Sequence, residues 1–299
     1  MVSCIRKIDL SSDCNSDDDA AVDCTEQWLP PAVFRLEAPR SFPEHFTAAF
    51  GTKIMALHPW ESEMETPLVP KGLVPACDVR TRAVSFYPRP KGYLADPVYI
   101  LIDNGVLALS SRTKRRRIAH TFSVDTAQPF TEWKCRGDWV LPFTGPAHFD
   151  RDLDAWVGLS GEPKTTGYVR ALNVVSANPD DDSSDGRCFP SGKLCKERLF
   201  GGNPDERQVG ASLVYMGGGS KFCLVQCFSV CIDDDEDTEE EEELGMERLQ
   251  LYRFRFTTFS LKYDKKGDLT IGNSRQVRYY DVPDAATESV LRDIVAFWM

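Results

Sequence analysis

Apolar residues in this chain come in short runs that alternate with period two and are broken by Gly, Pro, Asn and Asp, the signature of strands rather than helices. Four turn-centred apolar hairpins stand out: residues 50–57 with Gly51 at the turn, 98–109 around Asp103-Asn104-Gly105, 149–159, and 211–228 around Gly217-Gly218-Gly219. Asn-Gly between two apolar runs predicts a type I′ turn, because both central residues need positive φ. Each hairpin is followed by a closing strand, at residues 78–81, 124–126, 172–175 and 261–264. The first three closing strands recur at 47 and 48 residues, at Asp78, Asp125 and Asn173, which is the size of a propeller blade. Residues 251–282 read as two strands about an Asp264–Asp268 turn, followed by a third. Residues 287–297 suit a short C-terminal helix or a strand that closes a ring.

Hairpins at a fixed period without crossover helices predict an all-β fold, a kelch-like β-propeller of about four recognisable four-stranded units. A β-sandwich is the rival, but it requires no repeat. Residues 1–27 read as a disordered acidic tail containing Asp17-Asp18-Asp19. Residues 28–299 read as one domain carrying a disordered acidic insert at 232–245.

Nineteen prolines and twenty glycines among 299 residues fit many short strands. No apolar run reaches the roughly 18–20 residues of a membrane helix. The opening Met1-Val2-Ser3-Cys4-Ile5-Arg6-Lys7 lacks the apolar core of a secretory signal, so the expectation is a protein of the cytoplasm, the nucleus or both, away from membranes. The net charge of −11 is local: the run from Asp233 to Glu243 carries ten negative charges, and the remainder is at −1. Such a run is a solvated loop, or in a functional reading a decoy for basic partners.

The ten cysteines are expected as free thiols in a reducing compartment. Cys223, Cys227 and Cys231 share one face of a strand, about 13 Å apart per four residues, too far to share a metal ion. Cys188 and Cys195 lack a second Cys or His pair. His45, His58, His120 and His148 have no partner at metal-ligand spacing. No metal or cofactor site is therefore expected.

One acidic set invites a catalytic reading. Asp150, Asp152 and Asp154 fall on one side of an extended strand and could bind a cation or act as an acid/base pair. Against this, Asp is common at hairpin turns, where it accepts from local backbone amides. The run Asp181-Asp182-Ser183-Ser184-Asp185-Gly186 resembles a calcium loop, but Gly192 stands where the bidentate Glu is required. Met216-Gly217-Gly218-Gly219-Ser220-Lys221 lacks phosphate-loop spacing and reads as a hairpin turn. Lys114-Arg115-Arg116-Arg117 is a solvated turn or a nuclear import signal. Leu251-Tyr252-Arg253-Phe254-Arg255-Phe256 is an amphipathic strand, apolar inside and Arg outside, with a nucleic-acid face as the weaker reading. No residue is assigned a catalytic role.

Several stretches together resemble the plant proteins classed as domain of unknown function 1618, a family expanded in cereals. They are Gly137-Asp138-Trp139-Val140-Leu141-Pro142-Phe143, Leu153-Asp154-Ala155-Trp156-Val157-Gly158-Leu159, the residues 209–218 around Val214-Tyr215-Met216, Ser220-Lys221-Phe222-Cys223-Leu224-Val225, and Phe259-Ser260-Leu261-Lys262-Tyr263-Asp264. The resemblance covers most of residues 33–299. It implies a propeller-like all-β fold and a plant source, with links to reproductive barriers and stress, and it supplies no catalytic or binding residues. It also implies that this chain is short by about one blade between residues 109 and 121, splicing half of one unit to half of another.

Three functions follow as expectations. The first is a non-enzymatic scaffold for an unidentified protein partner, with nucleic acid disfavoured. The second is a hydrolase using Asp150, Asp152 or Asp154. The third is a truncated paralogue that interferes with intact relatives. Oligomeric state is left open.

Overall fold

The computed structural model describes residues 2–10, 27–37, 45–50, 52–57, 73–88, 95–102, 106–112, 119–125, 132–137, 140–173, 192–231, 250–272, 274–283, 286–292 and 294–298. The basic run 114–117, the acidic insert 232–245 and the turn at 103–105 lie outside them.

Among the described residues, the chain is all-β apart from one 3-10 turn, Pro163–Thr165, and one short helix, α1 (Glu288–Arg292). Near the N-terminus, β1 (Val2–Arg6), β2 (Gln27–Trp28) and β3 (Ala32–Glu37) are extended, and β1 pairs antiparallel with β3. Residues 2–6, read as part of a disordered tail, are instead paired, while residues 11–26 with Asp17-Asp18-Asp19 lie outside the described residues.

Four antiparallel meanders follow. The first contains β4 (His45–Phe50), β5 (Lys53–Leu57), β6 (Leu73–Asp78) and β7 (Val84–Pro88). The second contains β8 (Ala95–Ile102), β9 (Val106–Arg112), β10 (Ala119–Asp125) and β11 (Lys134–Gly137). The third contains β12 (Phe143–Asp150), β13 (Ala155–Ser160), β14 (Tyr168–Asn173) and β15 (Gly192–Arg198). The fourth contains β16 (Glu206–Gly217), β17 (Lys221–Cys231) and β18 (Gln250–Tyr263), then β19 (Leu269–Ile271) and β20 (Gln276–Asp281), both against β18. β2 adds to β20 in parallel.

The four hairpins read from the sequence are the first two strands of each meander, and the closing strands are the ends of the third strands. Two of those ends share a device. Asp78 Oδ1 accepts from the amides of Arg80 and Thr81, and Asp264 Oδ1 accepts from those of Lys266 and Asp268. Each carboxylate thereby takes up backbone donors that a chain reversal would leave unpaired.

The second meander is whole. β9 and β10 pair without a break from Ala119↔Arg112 to Asp125↔Val106. The expectation of a missing blade between residues 109 and 121 came from the resemblance alone, and residues 113–118 lie outside the described residues.

Neighbouring units pack face to face. Met55, Val74, Ala76 and Tyr87 of the first meet Val124, Phe122 and Trp133 of the second, and Trp133 Nε1 donates to the Pro88 carbonyl at 2.8 Å. Val98 joins Leu141, Phe143, Ala147 and Leu172 of the third. Val157, Leu159, Val169, Ala171 and Cys195 pack on Leu213, Phe222, Leu224, Phe259 and Leu261 of the fourth. The outer face of the fourth unit (Val214, Cys223, Val225, Phe256, Tyr280) is covered by Ile8, Leu10, Leu29, Ile294 and Ala296.

The first strands of successive units also touch: β4 with β8, β8 with β12, and β12 with β16. β8 and β12 go further and form a parallel ladder, with Tyr99↔Pro146, Ile100↔Ala147 and Leu101↔His148 in register. The second and third meanders are thereby one eight-stranded sheet. Among the described residues, no helix is long and apolar enough to cross a membrane.

Candidate functional site

The three aspartates of the acidic set lie where the third unit meets the fourth. The strand geometry expected of them is corrected: only Asp150 belongs to β12, and residues 151–154 form the turn into β13, with Asp154 at φ +47°. Two carboxylates face the opposing hairpin. Asp150 is fully buried, and its Oδ1 accepts from the Leu153 amide and the Ser220 hydroxyl, each at 2.9 Å. Asp152 Oδ2 accepts from the Gly219 amide at 2.9 Å.

The receiving turn is built for this approach. Gly217, Gly219 and Ser220 all have positive φ, and the glycines adopt it without steric cost. The Ser220 carbonyl accepts from the Leu261 amide, tying the turn to β18 as well. Asp154 is exposed. Asp150 Oδ2 is buried and meets no hydrogen-bond donor.

His148 stands two residues before Asp150 on the same face of β12. Its Nε2 donates to the Leu213 carbonyl of β16 at 2.9 Å, and its ring stacks on Tyr215 with centroids 6.3 Å apart. The residue is half-buried. Burial lowers its pKa, an effect partly offset by the bond to Leu213. Burial raises the pKa of Tyr215, with smaller contributions from Asp150 and Asp152, and that of Tyr263, with contributions from Asp150 and Asp154. The arrangement can bind two hairpins together, and no group of three potential ligands for a metal ion occurs among the described residues.

A second polar cluster crosses the fourth sheet. Arg255 donates to both oxygens of Glu206, at 3.0 and 2.9 Å, and to Gln226 Oε1 at 3.1 Å. Gln226 in turn donates to Gln208. Arg255 also lies over the Phe228 ring at 4.9 Å, and Arg253 pairs with Asp281 at 3.0 Å. Strand alternation does put Tyr252, Phe254 and Phe256 on the opposite face from these arginines. Both guanidinium groups, the basis of the nucleic-acid reading, are occupied by carboxylates of their own sheet.

Cys223 and Cys227 sit buried on one face of β17, as the strand period requires, and burial pushes both thiols up to about 12. Cys195 is likewise buried and raised to about 12. The calcium-like run 181–186 and Cys188 lie outside the described residues.

Sequence reasoning identified Asp150 and Asp152 but missed His148, Tyr215 and Ser220. A lone histidine has no local signal when its acceptor is 65 residues away. The nearest available clue was the triple-glycine turn, whose positive-φ backbone lets a second hairpin come close.

No curated protein matches this sequence. Among solved structures, a protein from Lactobacillus plantarum is similar at 10% identity and a TM-score of 0.33, over 80% of this chain and 70% of that one. Kuenenia stuttgartiensis hydrazine synthase is similar at 12% identity and a TM-score of 0.31, over 79% of this chain and 67% of that one. The fold therefore stands on the chain's own topology. The family described as "Protein of unknown function (DUF1668)" matches residues 116–280, more than half of the chain. That match overturns the resemblance to the 1618 family, and the plant source and reproductive role implied by it lose their support. The chain belongs to the DUF1668 family.

Proposed function

We propose that this chain is a propeller-like protein-interaction scaffold without a catalytic centre at the junction of its third and fourth units. The observation that carries the reading is the employment of the acidic set. Asp150 spends Oδ1 on Leu153 and Ser220, and Asp152 spends Oδ2 on Gly219. A hydrolase would need carboxylates free to exchange protons with a substrate or water. Here two of the three fasten one hairpin to another, inside a junction whose centre is buried.

The propeller-like arrangement is supported by four successive meanders whose first strands touch in order. In such scaffolds recognition resides in the connecting loops. The test is affinity capture from cells of the source organism with the intact chain as bait, followed by reconstitution from purified components. A partner held at fixed stoichiometry, and lost when the connecting loops are exchanged for glycine-serine segments, is expected. Failure to recover any stoichiometric partner counts against the scaffold, as does a turnover that Asp150→Asn abolishes in a fully folded protein.

A further inference from the structure

The three seams between units follow one plan: each unit turns one face to the unit before it and the other to the unit after it. In a closed ring the remaining faces of the first and fourth units would meet. Here the two differ. In the first unit the remaining face lies opposite Met55, Val74, Ala76 and Tyr87, and strand alternation puts Pro75, Cys77, Val84 and Phe86 on it. It is open, with Val84 60% and Phe86 53% exposed. In the fourth unit the remaining face carries Val214, Cys223, Val225, Phe256 and Tyr280, all buried. Its cover is not a further unit. Ile8, Leu10 and Leu29 from before the first unit, with Leu291, Ile294 and Ala296 from after the fourth, lie where a following unit would pack.

We propose that these six residues form a displaceable cap, and that the face beneath it takes the open first-unit face of a second copy of this chain. With the cap seated the chain stays single. With the cap lifted, copies join head to tail by the kind of seam that joins units within one chain. The inference does not depend on the scaffold reading.

The occupant follows from the series of seams. Within the chain, the face a unit turns to its successor is always met by the face the successor turns back. The fourth unit's outer face is of the first kind, and the first unit's open face is of the second. The interface inferred therefore continues the one already made three times. In a stacked array of repeats each unit contacts only its neighbours, and an end unit needs a cover to stop further addition. A contact between two different surfaces is heterologous, so it extends into rings or open chains.

The cap is held by short segments and a few polar ties. β2 meets β20 over two residue pairs, Gln27↔Tyr280 and Trp28↔Asp281. Arg278 donates to the carbonyls of Asp9 and Leu10 at 2.8 and 3.3 Å. On the other side, Arg207 donates to both oxygens of Glu288 in α1, at 3.1 and 2.7 Å. The seam between the third and fourth units instead sets two whole sheets against each other. A layer with so few ties opens locally at lower cost than two packed sheets part.

The test is sedimentation velocity of the full chain over a concentration series. Wild type should stay monomeric. Leu29→Asp combined with Ile294→Asp puts charge into the cap and leaves the covered face unaltered, and it should produce dimers and larger species as concentration rises. Adding Val84→Asp and Phe86→Asp to that chain should weaken the association by more than about tenfold. Arg278→Ala removes the tie to Asp9 and Leu10 while keeping the apolar side chains of face and cap. It should associate in the same way, and it decides if the doubly substituted cap does not fold. A folded cap variant that stays monomeric, association indifferent to Val84→Asp and Phe86→Asp, or wild type that already associates through its first unit would overturn the proposal.

Discussion

Replacing Asp150 with alanine removes the acceptor for two donors at once, the Leu153 amide and the Ser220 hydroxyl. Hydrogen bonds to a charged group contribute about 1.5–3 kcal/mol each. Part of that is returned on substitution, because burying a carboxylate with one oxygen unpartnered is itself costly. The net loss for Asp150→Ala is therefore about 3 kcal/mol, which lowers the melting temperature by about 6–12 °C for a chain of this order of size. Asp150→Asn behaves differently: the amide oxygen can replace Oδ1, and its NH2 group replaces an oxygen that already lacked a partner. It should cost about 1 kcal/mol. Urea denaturation followed by tryptophan fluorescence measures both, and hydrogen exchange should localise the Asp150→Ala loss to residues 151–154 and 217–220. The reasoning fails if Asp150→Ala lies within about 0.5 kcal/mol of wild type, or if the alanine and asparagine variants are equally destabilised.

Other outcomes follow from the same geometry. A Cβ at Gly210 would meet the Arg292 carbonyl and lie 2.6 Å from that of Leu291, so Gly210→Ala should detach α1 from β16, seen as faster proteolysis after residue 286. Glu206→Gln leaves the largely buried Arg255 guanidinium without its charge partner and should cost about 2 kcal/mol in chemical denaturation; an unchanged midpoint would show the pair to be idle. Iodoacetamide at pH 8 should label the exposed Cys4 and Cys135 quickly and leave Cys195, Cys223 and Cys227 unmodified until the chain unfolds. Lys196, which donates to Asp264, together with the Asp268 and Lys266 amides holds that carboxyl at about 2. Its stabilisation is present above the ordinary carboxylate range and lost as pH falls toward 2. Lys196→Met should move the Asp264 titration, followed by NMR, upward.

Local pattern and long-range placement were not equally legible in the sequence. Period-two alternation and turn residues located the hairpins at 50–57, 149–159 and 211–228, because both signals act within a few residues. The spacing of Asp78, Asp125 and Asn173 marked the third strands, and Asp78 accounts for its own position by closing a chain reversal. Alternation identifies which face of a strand is apolar without naming what covers it. The parallel pairing of β8 with β12 and the packing of Ile8 and Leu29 on the fourth unit therefore had no local sign. The candidate site divided along the same line. Asp150 was visible as a carboxylate near a turn. Its purpose became visible only with Ser220, seventy residues away. Short motifs also misdirected the family assignment: Trp156-Val157-Gly158-Leu159 lies within the single strand β13, where apolar residues are what sheet packing requires.

The central claim is that Asp150 and Asp152 are joints of a scaffold and take no part in a reaction. The most direct measurement is the affinity of the reconstituted partner complex for wild type and for Asp150→Asn, taken by calorimetry on folded protein. The account predicts one stoichiometric partner bound with a Kd unchanged within about twofold, a difference below about 0.4 kcal/mol. Absence of such a partner, with a substrate turned over by wild type and left intact by Asp150→Asn, would contradict it.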